Sequence, residues 1–208
     1  MVKYFNAALV LAAGLSGAVA RSLSGAAHSA AFIGGSRAFG GRTSVAMQAA
    51  NKKLPIMADE EVMSQKSHGT SDEPVMKNLK WGCDYDTADR ICNFNRHYAE
   101  FAGYWTTTEF LKEVDRNGPT TYYDSVTGVP LFTAPVGRSM DDYLKESMSH
   151  GWPSFRDEEV NWDYVRCLSN GECISTTGTH LGHNLPDGNG NRYCINLVSV
   201  AGEPKEAN

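Results

Sequence analysis

Acidic residues are absent from the first 58 positions of the chain, where six basic residues stand. The other 150 of the 208 residues hold 13 of the 19 basic and all 24 acidic residues, so they carry a net charge of −11 against −5 for the whole chain. Because no basic run follows either, nucleic acid is excluded as a partner. No 18-residue apolar run follows the N-terminus, which argues against a protein with several membrane spans. The length fits one domain of roughly 120–150 residues with an extension.

The acid-free region has the composition of a targeting presequence. Residues 1–20 join Lys3 to an apolar stretch that ends in Ala18-Val19-Ala20, which is typical of a secretory signal peptide and is short for a bilayer span. Residues 21–48 are rich in Ser, Ala, Gly and Arg, like a transit peptide. Together they resemble the bipartite presequences of algae with secondary plastids. We expect a plastid location and no stable membrane insertion after processing; a secreted, endomembrane or mitochondrial location is the alternative.

The remaining chain divides into three parts by composition. Residues 49–80 are polar and predict a flexible linker, with at most a short helix near residues 59–65. Residues 81–203 are dense in aromatic residues and predict the folded domain, and residues 204–208 form a tail.

Local patterns in the domain favour short strands with one or two helices. Helices are predicted over 106–115 and 140–148. Asn170-Gly171 indicates a hairpin turn. These patterns predict a mainly β (α+β) fold. The predicted strands lie at 120–126, 129–133, 164–168, 173–177 and 192–200.

The last strand carries the sharpest chemical pattern. Side chains alternate between the two faces of a strand, so Arg192, Cys194 and Asn196 share one face and Tyr193 and Ile195 the other. A guanidinium beside a thiol favours the reactive thiolate. The alternative is a small, buried and unreactive cysteine.

Two further clusters precede this strand. His180 and His183 are three residues apart with Gly182 between them, so we place them on a tight bend, as proton donors, metal ligands or two surface histidines. Trp152 is followed by a proline, and its indole is a candidate pocket wall or a core side chain.

Four motifs follow one another along the chain: YDSVTGVPLF at 123–132, GWPSF at 151–155, HLGHNLPDG at 180–188 and RYCIN at 192–196. In this order they resemble the B-type peptide-methionine (R)-S-oxide reductases. The resemblance spans about residues 92–202 and implies two antiparallel sheets with small flanking helices.

The resemblance also implies a role for each matching residue. Cys194 is the nucleophile, and Arg192 stands beside it. His180, His183 and Asn196 surround the sulfoxide oxygen. The residues implied to bind substrate are Trp152, which packs on the substrate methyl, with Phe155 and the acidic Asp187.

This family's chemistry suits those residue types. A thiolate attacks the sulfur of methionine-R-sulfoxide in an oxidised protein while an imidazole delivers a proton to the oxygen. The cysteine becomes a sulfenic acid, and a thioredoxin-type external dithiol resets it. No other cofactor is expected.

The chain departs from the family at two kinds of site. Many members bind zinc through two CxxC pairs, but Asp124 and Thr127 stand at the first pair and residues 175–179 contain no second. We therefore expect no zinc.

His150 stands where many zinc-free members carry a resolving cysteine. Short segments at 155–180 and 188–192 also suggest a more open rim.

Four other cysteines are candidates to resolve Cys194. Cys173 and Cys167 flank the hairpin turn, whereas Cys83 and Cys92 precede the domain's strands. A two-residue turn pairs residue 168 with 173, which puts Cys167 and Cys173 on opposite faces and disfavours a disulfide between them. Direct reduction of Cys194 without a resolver is the alternative.

Two competing functions stay open. The first is a catalytically impaired domain that keeps the fold and binds peptides. The second is a zinc domain that uses Cys167, Cys173, His180 and His183, although their spacing is outside the usual zinc-finger patterns.

Overall fold

The computed structural model describes residues 53–205. The predicted signal peptide, the transit-like segment and the last three residues of the predicted tail lie outside the described residues. Within 53–205, no helix has both the length and the apolar character needed to cross a bilayer.

Two antiparallel sheets form the centre of the fold, which confirms the predicted mainly β class. The smaller sheet pairs β1 with β2, and the larger has the strand order β3-β7-β6-β5-β4. The strands are β1 Thr120–Tyr123, β2 Pro130–Ala134, β3 Ser154–Phe155, β4 Val165–Cys167, β5 Glu172–Ser175, β6 His180–Asn184 and β7 Tyr193–Ile195. Because β7 lies between β3 and β6, its residues have neighbours on both sides.

The sequence located five of these strands and missed two. The five are found at shorter or slightly shifted bounds, and the final strand ends at Ile195 instead of residue 200. The two that were missed are β3 and β6, and β6 occupies the position of the predicted tight bend.

The helices are short except for one. They are α1 Tyr85–Asp89, which continues into a π turn at Arg90–Phe94, α2 Phe110–Glu113 and α3 Met140–His150. The predicted helix at 140–148 is confirmed. Its N-cap Ser139 accepts a hydrogen bond from the Asp142 N–H, and Gly151 ends it with φ of 88°.

The predicted helix at 106–115 shrinks to α2. Thr106, Thr107 and Thr108 each donate a side-chain hydrogen bond to the carbonyl three residues earlier. Such hydroxyl groups compete with regular helical hydrogen bonds. The chain therefore forms a 3-10 turn at Tyr104–Thr107 before the helix begins at Phe110.

Aromatic side chains fill the core between the two sheets and the helices. The Tyr122 ring packs against Trp81, Phe110 and Phe155 with ring centroids 5.0–6.1 Å apart. Such tilted and edge-to-face pairs stabilise a core beyond the area they bury. The core therefore lies directly under β3, whose Phe155 it includes.

Residues 54–80 pack against the domain, so the predicted flexible linker is wrong for this part of the chain. Met57 forms a parallel bridge with Cys167, whose N–H donates to the Ile56 carbonyl at 2.9 Å. Val75 is buried in the main core. The short helix expected near residues 59–65 is present as a 3-10 turn at Glu60–Met63.

Candidate active site

Cys194 lies on β7, where Ser154 of β3 and His183 of β6 are its cross-strand partners. Its side chain is half-buried, whereas Tyr193 and Ile195 on either side are fully buried. The alternation predicted for this strand is therefore confirmed. Arg192 Nη1 donates a hydrogen bond to Cys194 Sγ, so a positive charge contacts the thiol directly.

Asp187 holds the Arg192 guanidinium beside this thiol. Its Oδ2 accepts from Arg192 Nε at 3.2 Å and from Arg156 Nη2 at 2.8 Å. The hydrogen bonds from the Arg156 guanidinium and the Asn189 N–H keep the pKa of the Asp187 carboxyl below its usual value. Asp187 does not line the cavity beside Cys194, so it acts on the site through Arg192, which corrects its expected role as a substrate-binding residue.

A β-bulge brings the two histidines to the same side of the sheet. Cys173 pairs with Gly182 and Ile174 pairs with His180, so Leu181 is the extra residue on β6. In a regular strand, residues three apart face opposite sides. With the bulge, the ring centroids of His180 and His183 lie 5.7 Å apart. The two histidines thus lie on a bulged strand and not on the predicted tight bend, and the bulge places both rings on one side of the sheet.

Glu172 and Arg96 complete the surroundings of His180, and neither was singled out from the sequence. Glu172 Oε1 accepts from His180 Nδ1 at 2.7 Å. Arg96 donates to the same carboxylate from Nε at 3.0 Å and from Nη2 at 2.6 Å. The one available signal was an acidic residue directly before the apolar pair Cys173-Ile174, at the start of a predicted strand.

His183 lies in a different electrostatic setting. Its partial burial, and then the neighbouring His180, lower the pKa of His183 below its ordinary value. The His183 ring is therefore neutral at physiological pH.

Asn196 and Trp152 are fixed by the backbone of Glu100. The Glu100 N–H donates to Asn196 Oδ1 at 3.2 Å, and the Glu100 carbonyl accepts from Trp152 Nε1 at 3.1 Å. Asn196 Nδ2 in turn donates to the Leu181 carbonyl in the bulge at 3.1 Å. Glu100 is a second residue that the sequence reasoning missed.

These side chains meet around one cavity of about 280 Å³. The Cys194 thiol, the His180 and His183 imidazoles, the Asn196 amide and the Trp152 indole converge there, and His97 adds a third imidazole to the lining. Such a set suits nucleophilic attack combined with proton delivery. The sequence did not single out Arg96 or His97 among its walls. The lining residues are Arg96, His97, Tyr98, Ala99, Trp152, His180, Gly182, His183, Leu185, Cys194 and Asn196.

Phe155 is not among them, which corrects its expected role as a substrate-binding residue. It is fully buried and stacks on Phe132 with ring centroids 4.4 Å apart. It also pairs with Cys194's neighbour Tyr193 across the strands, because Ser154 takes the position opposite Cys194. The alternation of β3 therefore turns Phe155 into the core and Ser154 toward the thiol.

The four other cysteines are all buried. Burial raises the pKa of the Cys83, Cys92 and Cys173 thiols, which disfavours their thiolates. The side-chain hydrogen bonds of Cys194 Sγ within 53–205 are with Arg192 and with Ser154 Oγ at 3.8 Å, and no thiol is among these partners.

Cys167 and Cys173 face each other, contrary to the predicted register. The Leu168 N–H donates to the Glu172 carbonyl, which closes a three-residue loop around Asn170 instead of a two-residue turn. Cys167 is therefore paired with Cys173, and their sulfur atoms lie 3.5 Å apart. The two thiols belong to the hydrophobic core, while His180 and His183 line the cavity, so the four-residue zinc arrangement is not formed.

His150, which stands at the position expected for a resolving cysteine, lies near two carboxylates. Ligand-type atoms of Glu146, His150 and Asp187 fall within 4.8 Å of one another, the only such group in the described part of the chain. Arg156 pairs with both Glu146 and Asp187, so a cation already neutralises them.

Comparison with known proteins found no matching family model. Curated relatives named peptide methionine sulfoxide reductase MsrB are 37% identical over 83 residues, which is 38% of this chain. The chain spans about half (49%) of the length of these relatives. They come from Escherichia coli strains O139:H28 (E24377A / ETEC), K12 / DH10B and O157:H7 (EC4115 / EHEC).

Proposed function

We propose, on the support that these relatives give to the MsrB family, that the chain reduces methionine-R-sulfoxide in oxidised proteins to methionine. One observation carries the proposal: the Cys194 thiol contacts a guanidinium at the edge of a cavity that two imidazoles and an indole also line. A thiolate nucleophile, proton donors and an apolar wall are the three parts that sulfoxide reduction requires.

The reaction begins with attack of the Cys194 thiolate on the sulfoxide sulfur. His180 delivers a proton to the oxygen, and the neutral His183 and the Asn196 amide hold that oxygen by hydrogen bonds. The attack forms an S–S bond between Cys194 and the substrate. The oxygen then transfers to the Cys194 sulfur as the S–O bond of the substrate and the transient S–S bond break, so methionine leaves and Cys194 is left as a sulfenic acid.

Selectivity for the R epimer follows from two different subsites. The Trp152 indole receives the apolar methyl group, whereas the imidazoles and Asn196 receive the oxygen. Exchanging the methyl and oxygen positions would place the oxygen against the indole and leave polar groups without partners, which costs binding free energy.

An external thiol regenerates Cys194 in this proposal. The thiol condenses with the sulfenic acid to a mixed disulfide and releases water, and a second thiol of a thioredoxin-type reductant then frees Cys194. Burial of Cys83, Cys92, Cys167 and Cys173 supports this direct route over an internal resolver.

Zinc takes no part in the proposal, because the residues at the two matching segments do not fit it. Asp124 accepts hydrogen bonds from Thr179 Oγ1 at 3.0 Å and from Thr177 Oγ1 at 3.4 Å. One carboxylate and several hydroxyls stand in place of the four thiolates of a structural zinc site, and the carboxylate already accepts from the Thr177 and Thr179 hydroxyls. Hydrogen bonds therefore join the segments.

The activity is tested by NADPH consumption with thioredoxin and thioredoxin reductase, using peptides that contain R- or S-methionine sulfoxide. We expect turnover of the R epimer only and none in Cys194→Ser. Cys83→Ser, whose side chain does not line the cavity, is the matched control and keeps wild-type turnover. Absence of turnover in the wild type, or turnover in Cys194→Ser, contradicts the proposal.

The regeneration route is tested by mapping disulfides after one turnover without reductant. Trypsin leaves Cys194 in residues 193–205 and both hairpin cysteines in residues 167–192, because Arg166, Arg192 and Lys205 are the bounding cleavage sites. We expect a free sulfenic acid on 193–205, trapped by dimedone. A disulfide from 193–205 to any other peptide identifies an internal resolver and contradicts direct reduction.

A peptide-binding module without catalysis is the second candidate, favoured because no thiol of residues 53–205 is among the hydrogen-bond partners of Cys194. It predicts binding of sulfoxide peptides with no turnover under either dithiothreitol or thioredoxin.

Delivery to a plastid by the signal and transit-like segments is proposed from composition alone, with the secreted, endomembrane and mitochondrial alternatives retained.

A further inference from the structure

We infer that Glu172, held by Arg96, is a positioning residue that fixes the proton of His180 on Nδ1 and leaves Nε2 for the substrate oxygen. The inference rests on the proposed function, since it specifies how the proton donor of that site is set. It assigns a role to two residues that lie outside the motifs shared with the B-type reductases.

The geometry requires this tautomer. Glu172 Oε1 and His180 Nδ1 are 2.7 Å apart, and the two side chains are only 2% and 1% exposed. An ionised carboxylate has no proton to donate, so the hydrogen must lie on the imidazole nitrogen. The other ring nitrogen, Nε2, then carries a proton only when the ring is an imidazolium.

Arg96 keeps the Glu172 carboxylate ionised. Burial alone would raise the pKa of Glu172, but hydrogen bonds from His180 and Arg96 outweigh burial and lower it to about 2. Arg96 uses Nε and Nη2 for this contact and pairs with Glu60 through Nη1. The guanidinium is therefore anchored at both ends.

A fixed Nδ1 proton has a direct consequence for proton delivery. The positive charge that His180 acquires when Nε2 is protonated is neutralised by Glu172 at hydrogen-bond distance. A general acid must lie within hydrogen-bond reach of the atom that it protonates, with its proton pointing there. By accepting from Nδ1, Glu172 fixes the orientation of the His180 ring and so directs Nε2.

The Glu172→Gln variant changes this arrangement in a specific way. Glutamine has one acceptor oxygen and an NH₂ group, and Arg96 can only donate. The oxygen therefore turns to Arg96, the NH₂ group faces His180, and Nδ1 must become the acceptor. The neutral ring then carries its proton on Nε2.

The experiment uses the full chain labelled with ¹⁵N-histidine, with the His180 signals assigned by their loss in His180→Gln. We expect a protonated Nδ1 in the wild type and, in Glu172→Gln, a neutral ring protonated on Nε2. Single-turnover reduction of an R-sulfoxide peptide should slow by about 100-fold in Glu172→Gln. Its binding to a sulfoxide peptide should be unchanged.

Glu159→Gln is the matched control. Glu159 is also buried, and it accepts from Arg138 Nε at 2.8 Å and Nη2 at 2.6 Å, but it contacts neither histidine. We expect it to keep the wild-type His180 signals and rate even if stability falls. The inference fails if His180 shows the same tautomer in the wild type and in Glu172→Gln, or if the rate falls equally in Glu159→Gln. An inactive wild type with the expected signals contradicts the proposed function alone.

Discussion

At the scale of single residues, Glu100 positions two side chains that line the cavity. Its backbone holds Asn196 and Trp152, and its carboxylate accepts from the Leu197 N–H at 2.7 Å and the Val198 N–H at 3.2 Å. The two amides follow directly after the end of β7. One buried residue therefore connects Asn196, which is proposed to hold the substrate oxygen, with Trp152, which is proposed to receive the substrate methyl group.

The same residue makes stability depend on pH. Burial, opposed by the hydrogen bonds from Leu197 and Val198, raises the pKa of Glu100 from 4.5 to about 7. Below pH 4.5 both the folded and the unfolded chain hold the proton, so there is no cost. As the pH rises to 7 the unfolded chain releases it more readily, and stability is lost until the folded carboxyl also ionises.

Glu100→Gln removes this titration. Relative to Glu100→Gln, the free energy of unfolding of the wild type should fall by about 2 to 3 kcal/mol between pH 5 and pH 8. Urea unfolding of both proteins at the two pH values measures this difference. The exposed Glu113→Gln is the control and should show no such pH dependence. If the difference in the free energy of unfolding between the wild type and Glu100→Gln is the same at pH 5 and pH 8, the prediction is contradicted.

At the scale of elements, the sequence predicted what depends on near neighbours. The two faces of β7 and the capped helix α3 follow from local spacing, and both are confirmed. The end of β7 was missed because Glu100, far away in sequence, captures the Leu197 and Val198 amides and turns the chain there. The contacts of Arg96 with Glu172 were missed for the same reason.

The hairpin between β4 and β5 illustrates how a small change in loop length changes a chemical conclusion. Asn170-Gly171 suits both a two-residue and a three-residue loop, and Gly171 adopts φ of 88° in the latter. A one-residue shift in register moves a side chain to the other face of a sheet. The sequence therefore predicted that Cys167 and Cys173 lie on opposite faces of the sheet, whereas the fold brings them into contact.

Gly182 tests whether the close spacing of β6 and β7 aligns His183 with Cys194. Its φ is 154°, and a Cβ atom there would lie 2.1 Å from the Cys194 carbonyl oxygen. Gly182→Ala must therefore push β6 away from β7. We expect a loss of about 3 kcal/mol in the free energy of unfolding by urea, and a loss of turnover, because His183 and Cys194 no longer align.

Gly188→Ala is the control for this prediction. Gly188 lies in an exposed turn, and a Cβ atom there would meet no neighbour within 4 Å. We expect its unfolding midpoint to match the wild type. Wild-type stability and turnover in Gly182→Ala would show that the strands tolerate a wider spacing.

At the scale of the whole molecule, residues 53–80 are part of the folded unit. Met63 is buried against Leu168 and Ile174, while Val75 lies in the main core. His68 pairs with Asp89 of α1 at 2.8 Å. Polar composition suggested a linker because few of its residues are apolar, but those few are placed to cover β4 and α1.

A shortened chain tests this assignment. We compare residues 53–208 with residues 81–208 by urea unfolding. Burial of Met63 and Val75 contributes about 3 to 6 kcal/mol together, and the bridge from Met57 to the β4 edge is lost with them. The shorter chain should therefore unfold at a much lower urea concentration, and it should also lose the Glu60 contact that anchors Arg96. Equal midpoints for the two chains would mean that residues 53–80 rest on the domain without stabilising it.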